Sequence, residues 1–551
     1  HTTSGRGTTK NCSDCHISAQ NDNNAWMASL LGLGTGTVNF FGRYAYVGAG
    51  KGGLYGVVWT EREEPQAAIG SHLHKYAYPD RYKTHLKKKT KLEEAHHHPA
   101  EEILDLTLRG EYLYTANGKG GLRIFDVANI DNKAFSERIV TAPFSPAGQR
   151  MYVKTEFATS VTLPGTQAVD PLRLRSTNNF EHPEHGLIYN NNEEQKVSLI
   201  YAWVFGTDLE EGLVMATVGT LLDGNPRNNF MKEEKVIRYN PKGQLDGAMH
   251  SHMAGTNLLV VAKRGLFVLG LSNDELIEPT LNGELTGGEF KNPRAVGVQF
   301  RYAFVTDEEG FKTVDITDPS NPKFLPDATV PLKNAQRFYL ARNIAYVANG
   351  AEGLAIIDIT NPEKPKKPEM FNAGGLLNDT RAVQVGSVNA SMYGLVADGK
   401  NGLRVLQLIS PENVPEYMGF IPDPKPKLIA TYPTKKPAVA VSRGLDRDRV
   451  VDESGNQTVV FGRRGSRPFN LKEMARFIRH EGEEGRDGKI YKVEDLRAEG
   501  FKAKAKSGEA FKPPIEPKTV IESTQSRPQS HRIMRRGRFD RDKSATGGKT
   551  Q

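Results

Sequence analysis

Cys12 and Cys15 are the only cysteines in the 551-residue chain, and they stand in Cys12-Ser13-Asp14-Cys15-His16. Two thiols spaced by two residues and followed at once by an imidazole form the CxxCH pattern of c-type haem attachment. The chemistry requires that spacing, because the thiols add to the two vinyl groups of haem while the adjoining imidazole reaches the iron. A thioredoxin-like dithiol calls for a βαβ setting, which is absent here. A zinc knuckle calls for a second ligand pair, and a disulfide leaves His16 unexplained. Haem c is therefore expected on Cys12 and Cys15, with His16 as the proximal ligand to the haem iron. Axial ligation decides between electron transfer and ligand activation, so the sixth position matters. Its candidates are His1, for this haem or a neighbouring one, and His72 and His74. Met27, beside Trp26 and Leu30, reads as packing. No catalytic residue is assigned.

Six of the 14 histidines fall between residues 62 and 103: His72, His74, His85, His96, His97 and His98. The cluster reads as a solvated cationic loop, with one member in reach of a haem. Fewer than 40 residues surround the CxxCH before the first strand signal, too few to bury a haem alone. Its cover is expected from the rest of the chain, from a partner subunit, or from a haem region upstream of His1. The chain opens on His1 with no charged or apolar leader, which reads as a processed chain or part of a longer one. Covalent haem attachment takes place outside the cytoplasm in bacteria, so an exported protein, periplasmic or extracellular, is expected.

The elements that must position this chemistry repeat. The clearest copy is IAYVANGAEGLAIIDITNP at 344–362, matched by YLYTANGKGGLRIFDV at 112–127, YAFVTDEEGFKTVDITDP at 302–319 and YGLVADGKNGLRVLQL at 393–408. Looser copies begin at Tyr44, Tyr201 and Leu258, which makes seven. With Tyr46, Tyr114, Trp203, Leu258, Phe304, Tyr346 and Leu395 as equivalent points, the intervals are 68, 89, 55, 46, 42 and 49 residues. Each copy is an alternating strand, a turn containing Gly, and a second alternating strand that several copies end on Asp. The Gly supplies the positive φ of the hairpin, predicted at Gly118, Gly350 and Gly399. Asp126, Asp315 and Asp358 are predicted near strand ends, where Asp-x-Thr-x-Pro starts the next loop in the fullest copies. Hairpin units of this size fit blades packed radially, which leave only short protected edges. The 54 Gly and 31 Pro suit such a turn-rich chain.

The fold predicted is all-β, a seven-bladed β-propeller over 38–425 with insertions at 62–103 and 130–195. It is preceded by the haem-attachment segment, 1–37. After it come a linker with a small helical clasp, 426–500, and a basic extended tail, 501–551. The 130–195 insertion is expected to form loops on one face, with His182 and His185 on the surface because Pro183 breaks regular structure. His250 and His252, in MHSHM, read as a loop entering the fourth blade. The pattern YVA-x-G-x-x-G-L-x-I-x-D-I-T-x-P resembles the LVIVD repeat of bacterial propeller proteins. Some of those are fused to multihaem cytochrome segments. The resemblance implies functional positions only at Cys12, Cys15 and His16. A multihaem relative would show several CxxCH motifs, and this chain has one.

In the tail, Glu483 to Glu494 resembles an EF-hand loop, with Gly488 at the turn and Asp487 and Glu494 as Ca²⁺ candidates. Glu483 in place of the usual first Asp and a ligand-less Gly485 favour a structural clasp. Residues 501–551 hold 13 Lys/Arg against 5 Asp/Glu, equal to the whole formal charge of +8. Such a tail, with Arg532, Arg535, Arg536 and Arg538, reads as a strap for an acidic partner subunit and not as a nucleic-acid reader. No uninterrupted apolar run is long enough to span a membrane. The reading is an electron-transfer cytochrome on a propeller scaffold, working with other cytochrome or redox subunits in a larger complex. The alternatives are a haem-dependent oxidoreductase with a site at the propeller axis, as in cytochrome cd1, and a non-catalytic binding module.

Overall fold

The structure, a computed structural model, describes residues 43–61, 67–99, 102–109, 112–127, 151–164, 180–182, 186–188, 203–218, 231, 236–271, 279–341, 343–388, 391–410, 412–413 and 423–442, and three short strands at 459–460, 463–464 and 467–468. Within them are seven antiparallel sheets of four strands each. The innermost strands are Ala440–Val441 (blade 1), Asp105–Arg109 (blade 2), Ala158–Thr162 (blade 3), His250–Ala254 (blade 4), Ala295–Gln299 (blade 5), Phe338–Ala341 (blade 6) and Ala382–Val388 (blade 7). Each touches the innermost strand of the next blade, and the seventh touches the first, so the ring is closed. The seven sequence copies supply the second strand of every blade, from Tyr44–Gly48 through Ser391–Ala397.

Alternation does different work here from that in a half-exposed sheet. Ile344–Ala348 in blade 6 is buried along its whole length. Tyr346 and Ile356 pack towards Val383 and Val396 of blade 7. Val347 and Ile357, on the opposite face, pack against Phe304 and Phe311 of blade 5. A period of two thus feeds two apolar layers at once, each fully buried large side chain contributing about 1.5–3 kcal/mol.

The hairpins show why the repeat carries Asn or Asp before its Gly. Asn349 Oδ1 accepts from the Asn334 N–H at 2.8 Å, and Asp398 Oδ1 accepts from the Asp379 N–H at 2.8 Å. Asp307 and Asp208 make the same tie, to the N–H groups of Lys291 and Phe157. One buried side chain per hairpin so holds the segment entering its own blade. Gly350 then exchanges backbone hydrogen bonds with Thr380 of the next blade, at φ 58°. A Cβ there would stand 2.3 Å from Asn334 Nδ2, so only glycine fits. Gly118 and Gly399 also have positive φ, and Asp126, Asp315 and Asp358 end their strands, as the repeat predicts. Asp358 Oδ1 accepts from the Thr360 N–H and hydroxyl at 2.8 and 2.6 Å, turning the chain out of the sheet.

Three expectations change. The propeller does not stop at 425: Lys427–Tyr432 is the outer strand of blade 7, and Ala440–Val441 closes blade 1. The Pro and Lys residues of this stretch concealed two short apolar runs. The 62–103 segment is not a solvated loop. Two helices, α1 (His72–Ala77, capped by Ser71) and α2 (Pro79–Lys87), lead into Glu93–His98, the outer strand of blade 1. Finally, 130–195 is not all loop, since Tyr152–Val153 completes blade 2 and Ala158–Thr162 begins blade 3. His182 ends a strand of a small hairpin, Phe180–His182 with Gly186–Ile188. Met27, His185, the EF-hand-like loop and the basic tail lie outside the described residues.

Candidate functional site

The inner strands converge on a cavity of about 110 Å³ at the end of the axis where most of them begin, lined from all seven blades. Its charged strut crosses the ring. Arg337, entering blade 6, donates from Nη1 to Asp105 Oδ2 of blade 2 at 3.0 Å, and from Nη2 to the Thr159 carbonyl of blade 3 at 3.4 Å. Asp105 Oδ2 also accepts from the Val161 N–H at 3.1 Å. Burial nonetheless raises the Asp105 carboxyl above its ordinary range, with the nearby Arg337 charge opposing the rise.

His250 and His252 line the same cavity, and both belong to the inner strand of blade 4 rather than to a loop before it. The period of two sets them on one side of the strand. His250 Nδ1 accepts from the Val296 N–H at 3.2 Å, so in its neutral form the hydrogen sits on Nε2. Burial holds His250 well below the usual imidazole range, and the charges of Arg337 and His252 push it further. Gln384 of blade 7 also lines the cavity, and its Oε1 is buried without a hydrogen-bond partner. Asp105, Arg337 and Gln384 were not singled out from sequence. Their signal was faint: a polar residue set at or near the start of a short apolar run, three times over.

The sequence candidates fall elsewhere. Cys12, Cys15, His16, His1, Asp487 and Glu494 lie outside the described residues. His74 is buried in α1, its Nδ1 accepting from the Gly70 N–H at 3.0 Å and its Nε2 3.0 Å from Glu61 Oε1. Both ring nitrogens are engaged, so ligating iron would break one of these bonds. His72 is half-buried, its Nδ1 3.4 Å from Gln407 Oε1 of blade 7. Among the described residues no group of three or more His, Cys, Asp or Glu is placed to hold a metal ion.

A family model of the LVIVD repeat matches residues 103–141, 294–326 and 334–372. The chain carries LVIVD repeats. Each matched repeat opens a few residues before or at the inner strand of blade 2, 5 or 6, so Asp105 and Arg337 sit near the start of their LVIVD units. No curated protein is significantly similar to the chain. Among solved structures, a protein from Lactobacillus plantarum shares 12% identity at a TM-score of 0.44, over 73% of this chain and 99% of that one. A functionally unknown protein from Desulfotomaculum acetoxidans shares 8% at 0.39, over 63% and 90%. A dihydro-heme d1 dehydrogenase shares 14% at 0.34, over 66% and 60%.

Proposed function

We propose that the chain is a c-type electron carrier mounted on a seven-bladed scaffold, acting in a larger redox or multihaem complex outside the cytoplasm. One observation carries the reading: the only two cysteines of 551 residues stand in CxxCH. In it Cys12 and Cys15 hold haem c and His16 ligates its iron. The propeller presents a rigid disc to partner cytochrome or redox subunits, and the basic residues 501–551 strap the assembly together. The LVIVD resemblance supports it, since relatives pair such propellers with cytochrome segments. The axial lining favours a carrier over an oxidoreductase working at the axis. Its two histidines come from one strand, and one of them is tied to Val296.

The test is the exported full chain beside its C12A/C15A variant, on denaturing gels stained for haem peroxidase activity. The native band stains and carries the mass of one haem, and the variant band does neither. A native band without stain, or a variant that keeps covalent haem, overturns the reading.

A further inference from the structure

We propose that the axial cavity is a binding site for a small hydroxycarboxylate, of the size of glycolate or lactate. The inference does not depend on haem.

Size comes first. A cavity of about 150 Å³ admits benzene. At about 110 Å³ this one takes a somewhat smaller molecule, about five or six non-hydrogen atoms. Chemistry follows from the lining. A guanidinium has five N–H donors in a planar fork suited to a carboxylate. Arg337 uses Nη1 on Asp105 and makes only a long contact from Nη2, so donors are left for a second carboxylate. His250 adds another, because its Nδ1 is engaged by Val296 and its Nε2 therefore bears hydrogen. These groups place donors on a cavity whose one carboxylate is already paired.

Gln384 supplies the complementary need. A buried amide oxygen without a donor is costly, on the order of 1–3 kcal/mol, and marks a place where something else completes the bond. A ligand hydroxyl does so while its carboxylate meets Arg337. A plain hydrocarbon acid leaves Gln384 unsatisfied, and a cation meets Arg337 unfavourably.

Charge balance adds one constraint. The titratable groups on the lining are Asp105, Arg337, His250, His252 and Tyr339. Asp105 and Arg337 cancel, so a bound anion is best held together with one proton taken up by a histidine of the His250–His252 pair. The anion offsets the Arg337 charge that discourages that proton in the empty cavity.

The experiment is calorimetric titration of the full chain with glycolate, acetate and glycolamide. Glycolate is expected to bind one per chain, about tenfold or more tighter than either acetate, which lacks the hydroxyl, or glycolamide, which lacks the charge. Its affinity rises as pH falls below 7. The D105N/R337Q pair, which removes both charges together and leaves neither alone, loses glycolate binding. Q384L erases the preference for glycolate over acetate. Absence of glycolate binding at millimolar concentration, or equal binding of glycolamide, overturns the proposal on native protein alone. So does a folded D105N/R337Q protein that binds glycolate like the native chain.

Discussion

Blades 1 and 6 share an architecture and differ in how the chain builds it. Blade 6 is continuous, its four strands following one another from Phe338 to Phe371. Blade 1 takes its inner strand from Ala440–Val441 and its other three from residues 44–98. The two ends of the ring meet there over a core in which Trp59 and Tyr55 of blade 1 pack with Tyr393 and Ile429 of blade 7. Helix α2 reinforces the join, with the His85 ring donating to the Ile429 carbonyl at 2.9 Å. Blade 6 is held by local repetition, blade 1 by closure between distant segments.

The comparison breaks first under truncation. A chain ending at residue 425 lacks the last outer strand and the closing strand, and is expected to lose cooperative unfolding altogether. Total stabilities are only about 5–15 kcal/mol, less than an unpaired seventh of the ring can give up. Thermal unfolding followed by circular dichroism checks this, and a sharp transition in the truncated chain contradicts closure at 440–441.

In blade 6, Ile357→Ala opens a hole between blades 5 and 6 and should cost about 2–5 kcal/mol in denaturant unfolding.

Acid separates the two blades. Burial lowers His74 and His85, with Glu61 and the Ile429 carbonyl respectively opposing. Burial takes His98 to about 4, helped by His96, His97 and Arg123. These groups are neutral when folded and take up protons when unfolded. Their contribution is therefore present above about 6.5 and is lost as pH falls from there towards 4. Asp358 behaves otherwise: burial raises it, but hydrogen bonds from Lys366 and Thr360 win and bring it below 3.8, so its contribution fades only at lower pH. Hydrogen exchange between pH 6.5 and 4 should show blade 1 losing protection before blade 6. Equal loss in both contradicts the contrast.

The smallest effect is Asp358→Ala. It removes the Thr360 turn bonds and an ion pair whose Lys366 side is 75% exposed, and should cost about 1 kcal/mol. A loss near that of Ile357→Ala would mean the turn matters as much as the core.

Blade 6 was legible because each of its residues answers a local demand: Asn349 for the hairpin, Gly350 for positive φ, Asp358 for the exit turn. Blade 1 was not, because nothing in Ala440–Val441 announces a partner almost 400 residues away at Val47 and Gly48. The histidines between 72 and 98 looked solvated for a related reason. Helix α1 is 6 residues long and α2 is 9, too short for a clear apolar stripe, and what buries them is blade 7. The axial site was hidden most completely. Asp105, His250, Arg337 and Gln384 are scattered over 280 residues, and only the radial fold brings them to one axis.

The central claim is electron transfer by a covalent haem, and spectroelectrochemical titration of the full chain tests it most directly. The account predicts a c-type spectrum that passes reversibly between oxidised and reduced forms in a single one-electron step, unchanged by carbon monoxide because both axial positions are filled. A chain without haem absorbance, or a reduced haem that binds carbon monoxide, contradicts it.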